Sequence, residues 1–279
     1  MNSTFLNLEF LTLLGLLLLS GAFAGLLAGL FGVGGGIIIV PALLYAFDEL
    51  GYSQEFTTHM AVGTSLAIIV PTSISSAWSY YKRGSVNIIM LRRLALPVAG
   101  SALLGSWLAG VLSGDALKAV FAVLALVIAL NLLRKKHFIL GNELPPLPKM
   151  WSAVGLIGLL SAMMGIGGGV FFTSYLTAYS LPMLSAVGTS VSLGLMISLP
   201  GAIGYIFNGW NSPNLPPLSF GYFSLLGFLC MIPMTMIVAP QGAKLAHHLD
   251  KDKLKRLSLI HISEPTRPLY ISYAVFCLK

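Results

Sequence analysis

"FGVGGGIIIVP", residues Phe31 to Pro41, interrupts a stretch that is otherwise apolar enough to cross a membrane. Four of the five residues from Gly32 to Gly36 are glycine, and each glycine in a helix interior costs about 1 kcal/mol relative to alanine. A second cluster, "GIGGG", occupies Gly165 to Gly169. We therefore expect two membrane helices that are each broken in the middle into a pair of half-helices.

The composition indicates a polytopic membrane protein. Of the 279 residues, 56% are hydrophobic and 9% are charged, whereas a soluble domain carries about 25% charged residues. Six further apolar runs follow the one that contains the first glycine cluster, and about 20 residues are enough to cross a bilayer. These runs cover residues 59–81, 93–112, 117–133, 151–179, 186–207 and 220–239. We therefore expect an all-α, multi-pass protein of the cell membrane, surrounded by the lipid bilayer.

The chain contains an internal repeat. "GLLAGLFGVGGG" at Gly25–Gly36 matches "GLLSAMMGIGGG" at Gly158–Gly169, and "AVGTS" at Ala61–Ser65 recurs unchanged at Ala186–Ser190. Several matches in the same order are the signature of a duplicated unit. We interpret the chain as two transmembrane repeats, 1–136 and 151–256, joined by a cytoplasmic linker at 137–150. Each repeat has a glycine-broken helix and about three spans.

The basic residues predict that the two repeats are inverted. The net charge of +7 gives no reason to expect a nucleic-acid partner, because the basic residues cluster at span ends, where they determine topology. In the first repeat Lys82, Arg83, Arg92 and Arg93 lie between the second and third apolar runs, whereas the corresponding connection of the second repeat, 208–219, is uncharged. Basic connections stay cytoplasmic, so we expect opposite orientations, a plan found in transporters with broken helices.

The last residues do not fit the repeat. An apolar span equivalent to Leu117–Leu133 is expected after Leu254, but the chain has two prolines and two charges at Glu264–Pro268, which are costly in hydrocarbon. "LSLIHISEPTR", which begins at Leu257, reads as the translation of a transposase-type sequencing adapter. We interpret residues 257–279 as an artefact of that kind that replaces the last span. A divergent natural tail is the alternative.

The glycine clusters are the first candidate binding elements. Where half-helices meet inside a membrane, the N–H groups at a helix N-terminus and the positive end of its dipole can hold an anion. Glycine lets the backbone approach such a ligand. The alternative is that the glycines only allow close helix packing. The candidates are Gly32, Gly34, Gly35 and Gly36 in the first repeat and Gly165, Gly167, Gly168 and Gly169 in the second.

The two "GTS" segments add candidate hydroxyl ligands: Thr64, Ser65, Thr189 and Ser190. They would complete the coordination of a small anion without a buried charge. The alternative is that each hydroxyl bonds to a carbonyl of its own helix. His59, at the start of its span, is the titratable residue that suits proton coupling; the alternative is an interfacial histidine.

The residues missing from the spans argue against an enzyme and against a metal or cofactor. No Asp or Glu lies within a predicted span, no His-x-x-x-His spacing occurs, and Cys230 and Cys277 lie far apart. A membrane transporter is therefore the main hypothesis. The alternatives are a passive anion channel and an intramembrane hydrolase with His59 as its base. The sequence makes no prediction of the oligomeric state.

Four segments together resemble the TauE/SafE family of membrane transporters, the sulfite exporter family. They are "GLLAGLFGVGGGIIIVPALL", "AVGTSLAIIVPTSISSAWSYYKRG", "GLLSAMMGIGGGVFFTSYL" and "AVGTSVSLGLMISLPGAIGYI", and the resemblance covers about Gly21 to Leu257. It implies the movement of small sulfur-containing anions such as sulfite, sulfoacetate and related organosulfonates. From the repeat itself we expect alternating access around a midplane site between the two halves.

Overall fold

The computed structural model describes residues 3–32, 34–133, 141, 145–213 and 215–248, with the side chains of 3–10 and 129–133 left out. Nine α-helices make up almost all of this part of the chain: α1 (Ser3–Phe31), α2 (Gly36–Glu49), α3 (Gln54–Tyr81), α4 (Ile88–Val111), α5 (Gly114–Leu133), α6 (Leu147–Met164), α7 (Gly169–Ala178), α8 (Met183–Gly209) and α9 (Leu225–His248). The interpretation of residues 257–279 as an adapter artefact falls outside the described residues, as does most of the predicted linker.

The prediction of an all-α polytopic membrane protein is confirmed. Among the described residues, six helices are long and apolar enough to cross a membrane, namely Leu11–Phe31 of α1 and the whole of α3, α4, α6, α8 and α9. Helix α5 coincides with the predicted run at 117–133. One feature was not predicted: the run expected at 220–239 begins as a short antiparallel hairpin, in which β1 (Ser219–Phe220) pairs with β2 (Phe223–Ser224).

The two predicted helix breaks lie at the glycine clusters. Helix α1 ends at Phe31 and α2 starts at Gly36, while α6 ends at Met164 and α7 starts at Gly169. The N-cap residues of α2 and α7, Gly35 and Gly168, have φ angles of 77° and 67°, which only glycine adopts readily. The two breaks therefore have the same backbone construction in both halves of the chain.

Each half packs its first helix against a helix of the other half. Helix α1 runs parallel to α9, and α6 runs parallel to α4, so the first helix of each half lies along the fourth helix of the other. Along the first pair, Gly21 faces Met231, Gly25 faces Thr235 and Gly29 faces Ala239; along the second, Gly158 faces Ser101 and Leu159 faces Gly105. Helices α3 and α8, which both begin near an AVGTS segment, pack against each other between these pairs.

The connections collect at two ends, which differ in charge. At the first, called the acidic end, Gln54 contacts Asp48 and Lys118, so the α2–α3 and α4–α5 connections are neighbours. At the second, called the basic end, Ser85 bonds to His247, which brings the α3–α4 connection to the end of α9. The acidic end carries Asp48, Glu49, Glu55 and Asp115 with Lys118, and the basic end carries Lys82, Arg83 and Lys244.

Each broken helix enters from one end and returns to it. The start of α1 and the finish of α2 lie together, because Leu13 and Leu17 line the same small hollow as Ala46 and Leu50. Leu226, at the start of α9, also lines it, which places this end of the pair at the acidic side. Helix α6 starts beside the start of α4, and α7 leads directly into α8, so the second broken helix returns to the basic end.

Candidate functional site

The two glycine breaks meet inside the protein. A methyl group added to Gly34 would lie 3.1 Å from the Gly167 nitrogen, and one added to Gly36 would lie 2.8 Å from the Cα of Ile166. The breaks are therefore in backbone-to-backbone contact, which side chains would prevent. We call the eight predicted glycines at this point, Gly32, Gly34–Gly36, Gly165 and Gly167–Gly169, the glycine junction.

The N-termini of α2 and α7 lie at this junction. The first N–H groups of any helix have no partner within it, and the helix dipole adds about half a positive charge there. Neither α2 nor α7 has an acidic residue in its first turn to neutralise that charge. The junction therefore has the electrostatic character of an anion site without any cationic side chain.

The eight glycines allow close packing at the junction, and three of them also line a cleft. Gly35 and Gly165 are packing positions, since a methyl group would lie 3.0 Å from the Ala24 oxygen in the first case and 3.1 Å from the Cα of Val62 in the second. Gly36 and Gly168 are equally crowded, and Gly169 is buried as the first residue of α7. Gly32, Gly34 and Gly167 are also closely packed and, in addition, line a narrow cleft. Close packing is thus a role of the glycines that line the cleft as well as of the others.

This cleft extends from the junction along the second half of α3. In this structure the cleft is too narrow to hold a water molecule, and we call it the junction cleft. It is lined by Ala28, Gly32, Gly34, Thr72, Ser73, Ser76, Gly167, Val191 and Gly194. The three hydroxyl residues were not among the candidates from the sequence. The signal for them is the hydroxyl-rich segment "PTSISSAWS", Pro71–Ser79, inside an otherwise apolar span.

The two candidate threonines hold helix starts of the opposite half. Thr64 Oγ1 accepts a hydrogen bond of 2.9 Å from the Ser224 N–H, immediately before α9. Thr189 Oγ1 accepts one of 3.0 Å from the Asn87 N–H, immediately before α4. The pairing is equivalent in the two halves, and both threonines are fully buried. Each hydroxyl thus satisfies a backbone donor that has no helical partner.

The two candidate serines differ. Ser65 Oγ donates a hydrogen bond of 2.8 Å to the carbonyl of Gly165, so it joins α3 to the second glycine break. Ser190 is 0% exposed, and its hydroxyl has no hydrogen-bond partner among the described residues. A buried polar atom without a partner costs about 1–3 kcal/mol. Of the four candidate hydroxyls, Ser190 is therefore the one without a hydrogen-bond partner among the described residues.

His59 lies at the acidic end and is only 4% exposed. Its Nε2 is 3.1 Å from both the Ala109 and the Leu112 carbonyl oxygens, to which it donates, and its ring lies 4.9 Å from that of Tyr222. The Nδ1 atom has no hydrogen-bond partner in the described part of the chain. The imidazole therefore closes the C-terminus of α4 and lies outside the junction cleft.

Comparison with known proteins identifies relatives over nearly the whole chain. The sequence model of the family described as "Sulfite exporter TauE/SafE" matches residues 17–263. A "Probable membrane transporter protein" of Haemophilus influenzae is 34% identical over 247 residues, which are 88% of this chain and 93% of that protein. One from Methanocaldococcus jannaschii is 29% identical over 84% of each chain, and one from a Sinorhizobium species is 29% identical over 93% of this chain and 96% of its own. No solved structure matches.

Proposed function

Since the chain belongs to the TauE/SafE sulfite exporter family, we propose that it carries small oxyanions of the sulfite and organosulfonate type across the cell membrane. The chain is a multi-pass membrane transporter, as its family and its six apolar helices indicate. What is proposed is the substrate class, the site and the mechanism.

The observation that carries the proposal is the meeting of the two helix N-termini at the glycine junction. Each dipole stabilises an anion by about 0.3–1 kcal/mol at exposed positions and by up to about 2 kcal/mol when partly buried. Backbone donors of this kind hold a small anion without a lysine or arginine. Modest affinity suits a transporter, because a substrate that is held too tightly is not released.

The mechanism that fits this site is alternating access. Helix α1 packs against α9, and α4 packs against α6, so each half contacts the other through its first and fourth helices. This packing supports two halves of inverted orientation that rock against each other around the junction, as in other repeat transporters. The basic end, which carries Lys82, Arg83 and Lys244, is the cytoplasmic side by the positive-inside rule. In this structure the junction cleft is narrow, so substrate movement requires α3 and α8 to separate.

The hydrolase alternative receives no support from the contacts of His59. Its Nε2 bonds to backbone carbonyls rather than to a serine, and the described residues contain no group of three or more potential metal ligands from His, Cys, Asp and Glu. The passive channel differs from the carrier in a measurable way, since only a coupled carrier accumulates its substrate against a gradient.

The test uses the purified protein in liposomes loaded with sulfite, sulfoacetate or lactate, with and without an imposed pH gradient. We expect efflux of the sulfur anions and little efflux of lactate, and accumulation against a gradient when protons supply the energy. Failure of both sulfur anions to move would contradict the substrate proposal. Equilibration without accumulation would identify a channel.

The role of His59 is tested in the same liposomes. We expect His59→Gln, which keeps a donor for the carbonyls of Ala109 and Leu112, to retain downhill sulfite flux and to lose most of the stimulation by a pH gradient. The reason is that glutamine cannot take up a proton, as the free Nδ1 can. Unchanged stimulation would show that another group carries the proton.

A further inference from the structure

We infer that α3 supplies a one-sided subsite for a singly charged oxyanion, with Ser76 as its principal side-chain ligand and Arg83 at its mouth. This inference rests on the proposed transport function and narrows it. The junction cleft thereby gains a ligand, a direction of approach and a charge preference, chiefly through residues in the second half of α3 and just after it.

Ser76 has the properties of a ligand residue. It lines the junction cleft opposite Gly34 and Gly167, is 1% exposed, and its hydroxyl has no hydrogen-bond partner in the described residues. Leaving a buried hydroxyl unpaired costs about 1–3 kcal/mol, a cost that a bound anion would remove. Thr72, one turn earlier, already donates to the Ile68 carbonyl at 2.8 Å, so its proton is not available.

The same face of α3 continues to the basic end. Thr72, Ser76 and Ser79 are spaced by four and three residues, which places them on one side of α3, and Arg83 follows two residues after the helix ends. The Arg83 guanidinium donates to the Ser79 carbonyl at 2.8 Å and to its hydroxyl at 2.6 Å. Ser76 lines the cleft, and Ser79 and the exposed Arg83 follow it toward the basic end, where the cation would concentrate anions.

The equivalent face of α8 is closed. Aligning the two AVGTS segments pairs these four positions with Ile197, Gly201, Gly204 and Asn208. The space on this side of the junction that corresponds to the junction cleft is filled by Ile69, whose Cγ2 would lie 3.0 Å from a methyl group added to Gly167. The residue of α8 that is equivalent to Ile69 is Gly194, which lines the junction cleft. Leu66 packs over Gly201 in the same way. The subsite therefore exists toward the basic end alone.

The donor set determines the charge of the ligand. Hydroxyl groups and helix N-termini provide hydrogen bonds and partial positive charge, and no Lys or Arg lines the junction cleft. Removing an ion from water is costly unless a counter-charge compensates it, and the electrostatic cost rises with the square of the ionic charge. The subsite therefore narrows the proposed substrates to monoanions, such as hydrogensulfite or a simple alkanesulfonate, and disfavours dianions, such as sulfate and the doubly charged forms of sulfite and sulfoacetate.

The experiment compares two equivalent serines, Ser73 in the junction cleft and Ser198 in α8. Each is changed to cysteine in a background without the native thiols (Cys230→Ala and Cys277→Ala), and labelled in oriented membrane vesicles. The reagents are methanethiosulfonates of similar size that carry either a sulfonate or a quaternary ammonium group. We expect the anionic reagent to label Ser73→Cys at least tenfold faster than it labels Ser198→Cys. Ser73→Cys should also react faster with the anionic reagent than with the cationic one, and it should react only when the reagent is added on the basic side. Methanesulfonate should slow this reaction, and sulfate at equal concentration should not.

A transport measurement tests Ser76 itself, with Ser198→Ala as the matched control. We expect Ser76→Ala to raise the KM for sulfite at least fivefold without lowering the melting temperature, and Ser198→Ala to leave the KM unchanged. Equal labelling of the two cysteines, or equal protection by sulfate, would overturn the subsite, as would an unchanged KM in Ser76→Ala. If the labelling pattern holds while the wild-type protein moves no sulfur oxyanion, the anion subsite stands and the proposed transport function fails.

Discussion

Helices α3 and α8 occupy equivalent places in the two halves and differ in a systematic way. At both ends they match: each starts near a threonine that holds the other half's fourth helix, and each finishes at a buried tyrosine. Tyr80 donates to the Gly29 carbonyl at 2.7 Å, and Tyr205 donates to the Met163 carbonyl at 3.3 Å. These bonds satisfy carbonyls in the last turns of α1 and α6, which have no helical partner.

Between these shared ends the two helices diverge. The second half of α3 has hydroxyl groups where α8 has Ile197 and Gly201, and α3 has Ile69 where α8 has Gly194. The residues that the two halves share hold the broken helices in place. The residues that differ leave a cleft beside the second half of α3, whereas the equivalent space beside α8 is filled by side chains. A symmetric scaffold thus carries an asymmetric cleft, and variants in equivalent pairs can separate the two roles.

The largest effect is expected from the shared scaffold. Gly35→Leu and Gly168→Leu should each reduce transport at least tenfold, because both residues have positive φ angles, which cost a side chain about 1–2 kcal/mol, and both lack space for a Cβ. Gly100→Leu is the control, since no atom lies within 4 Å of its added methyl group. Flux and the monodispersity of the purified protein are measured together. Normal flux in either junction variant would show that the breaks tolerate side chains.

The next effect concerns the filled side of the junction. Ile69→Ala should cost about 2–5 kcal/mol of stability, as is usual for a buried isoleucine, and should also open a space beside Gly34 and Gly167. We expect a higher passive flux of sulfite and a lower accumulation ratio in liposomes. Ile68→Ala, equally buried in the same helix, should lose stability without the leak. An equal leak in both variants would mean that loosened packing, and not the space at the junction, admits the ion.

The sequence predicted the elements that depend on local chemistry. Clustered glycines cannot continue a helix, so the breaks at Gly32–Gly36 and Gly165–Gly169 were predictable, and charge-free apolar runs revealed the spans. The partners of Thr64 and Thr189 were not predictable, because Ser224 and Asn87 lie 160 and 102 residues away in the chain. The cleft hydroxyls were missed for a related reason. A serine in an apolar helix usually bonds to its own backbone, and only the packed structure shows that the Ser76 hydroxyl has no such bond.

A smaller effect is expected from the threonines. Thr64→Val and Thr189→Val each leave a backbone N–H without its acceptor, which should cost about 1–3 kcal/mol and lower the melting temperature to a similar extent in both. The KM for sulfite should stay unchanged, because both hydroxyls lie at the starts of α9 and α4 and neither lines the junction cleft. A several-fold rise in KM with an unchanged melting temperature would instead make these threonines substrate ligands, as the sequence alone suggested.

The smallest effect separates the two serines of the GTS segments. Ser65→Ala removes the bond to the Gly165 carbonyl and should cost about 0.5–1.5 kcal/mol. Ser190→Ala removes a buried hydroxyl that has no partner in the described residues, so stability should stay the same or rise slightly. The difference between the two variants is measured as a difference in melting temperature. Equal destabilisation would show that Ser190 also bonds to the scaffold. A raised KM in Ser190→Ala alone would show that its hydroxyl binds substrate, and the asymmetry between α3 and α8 would then extend to ligands on both helices.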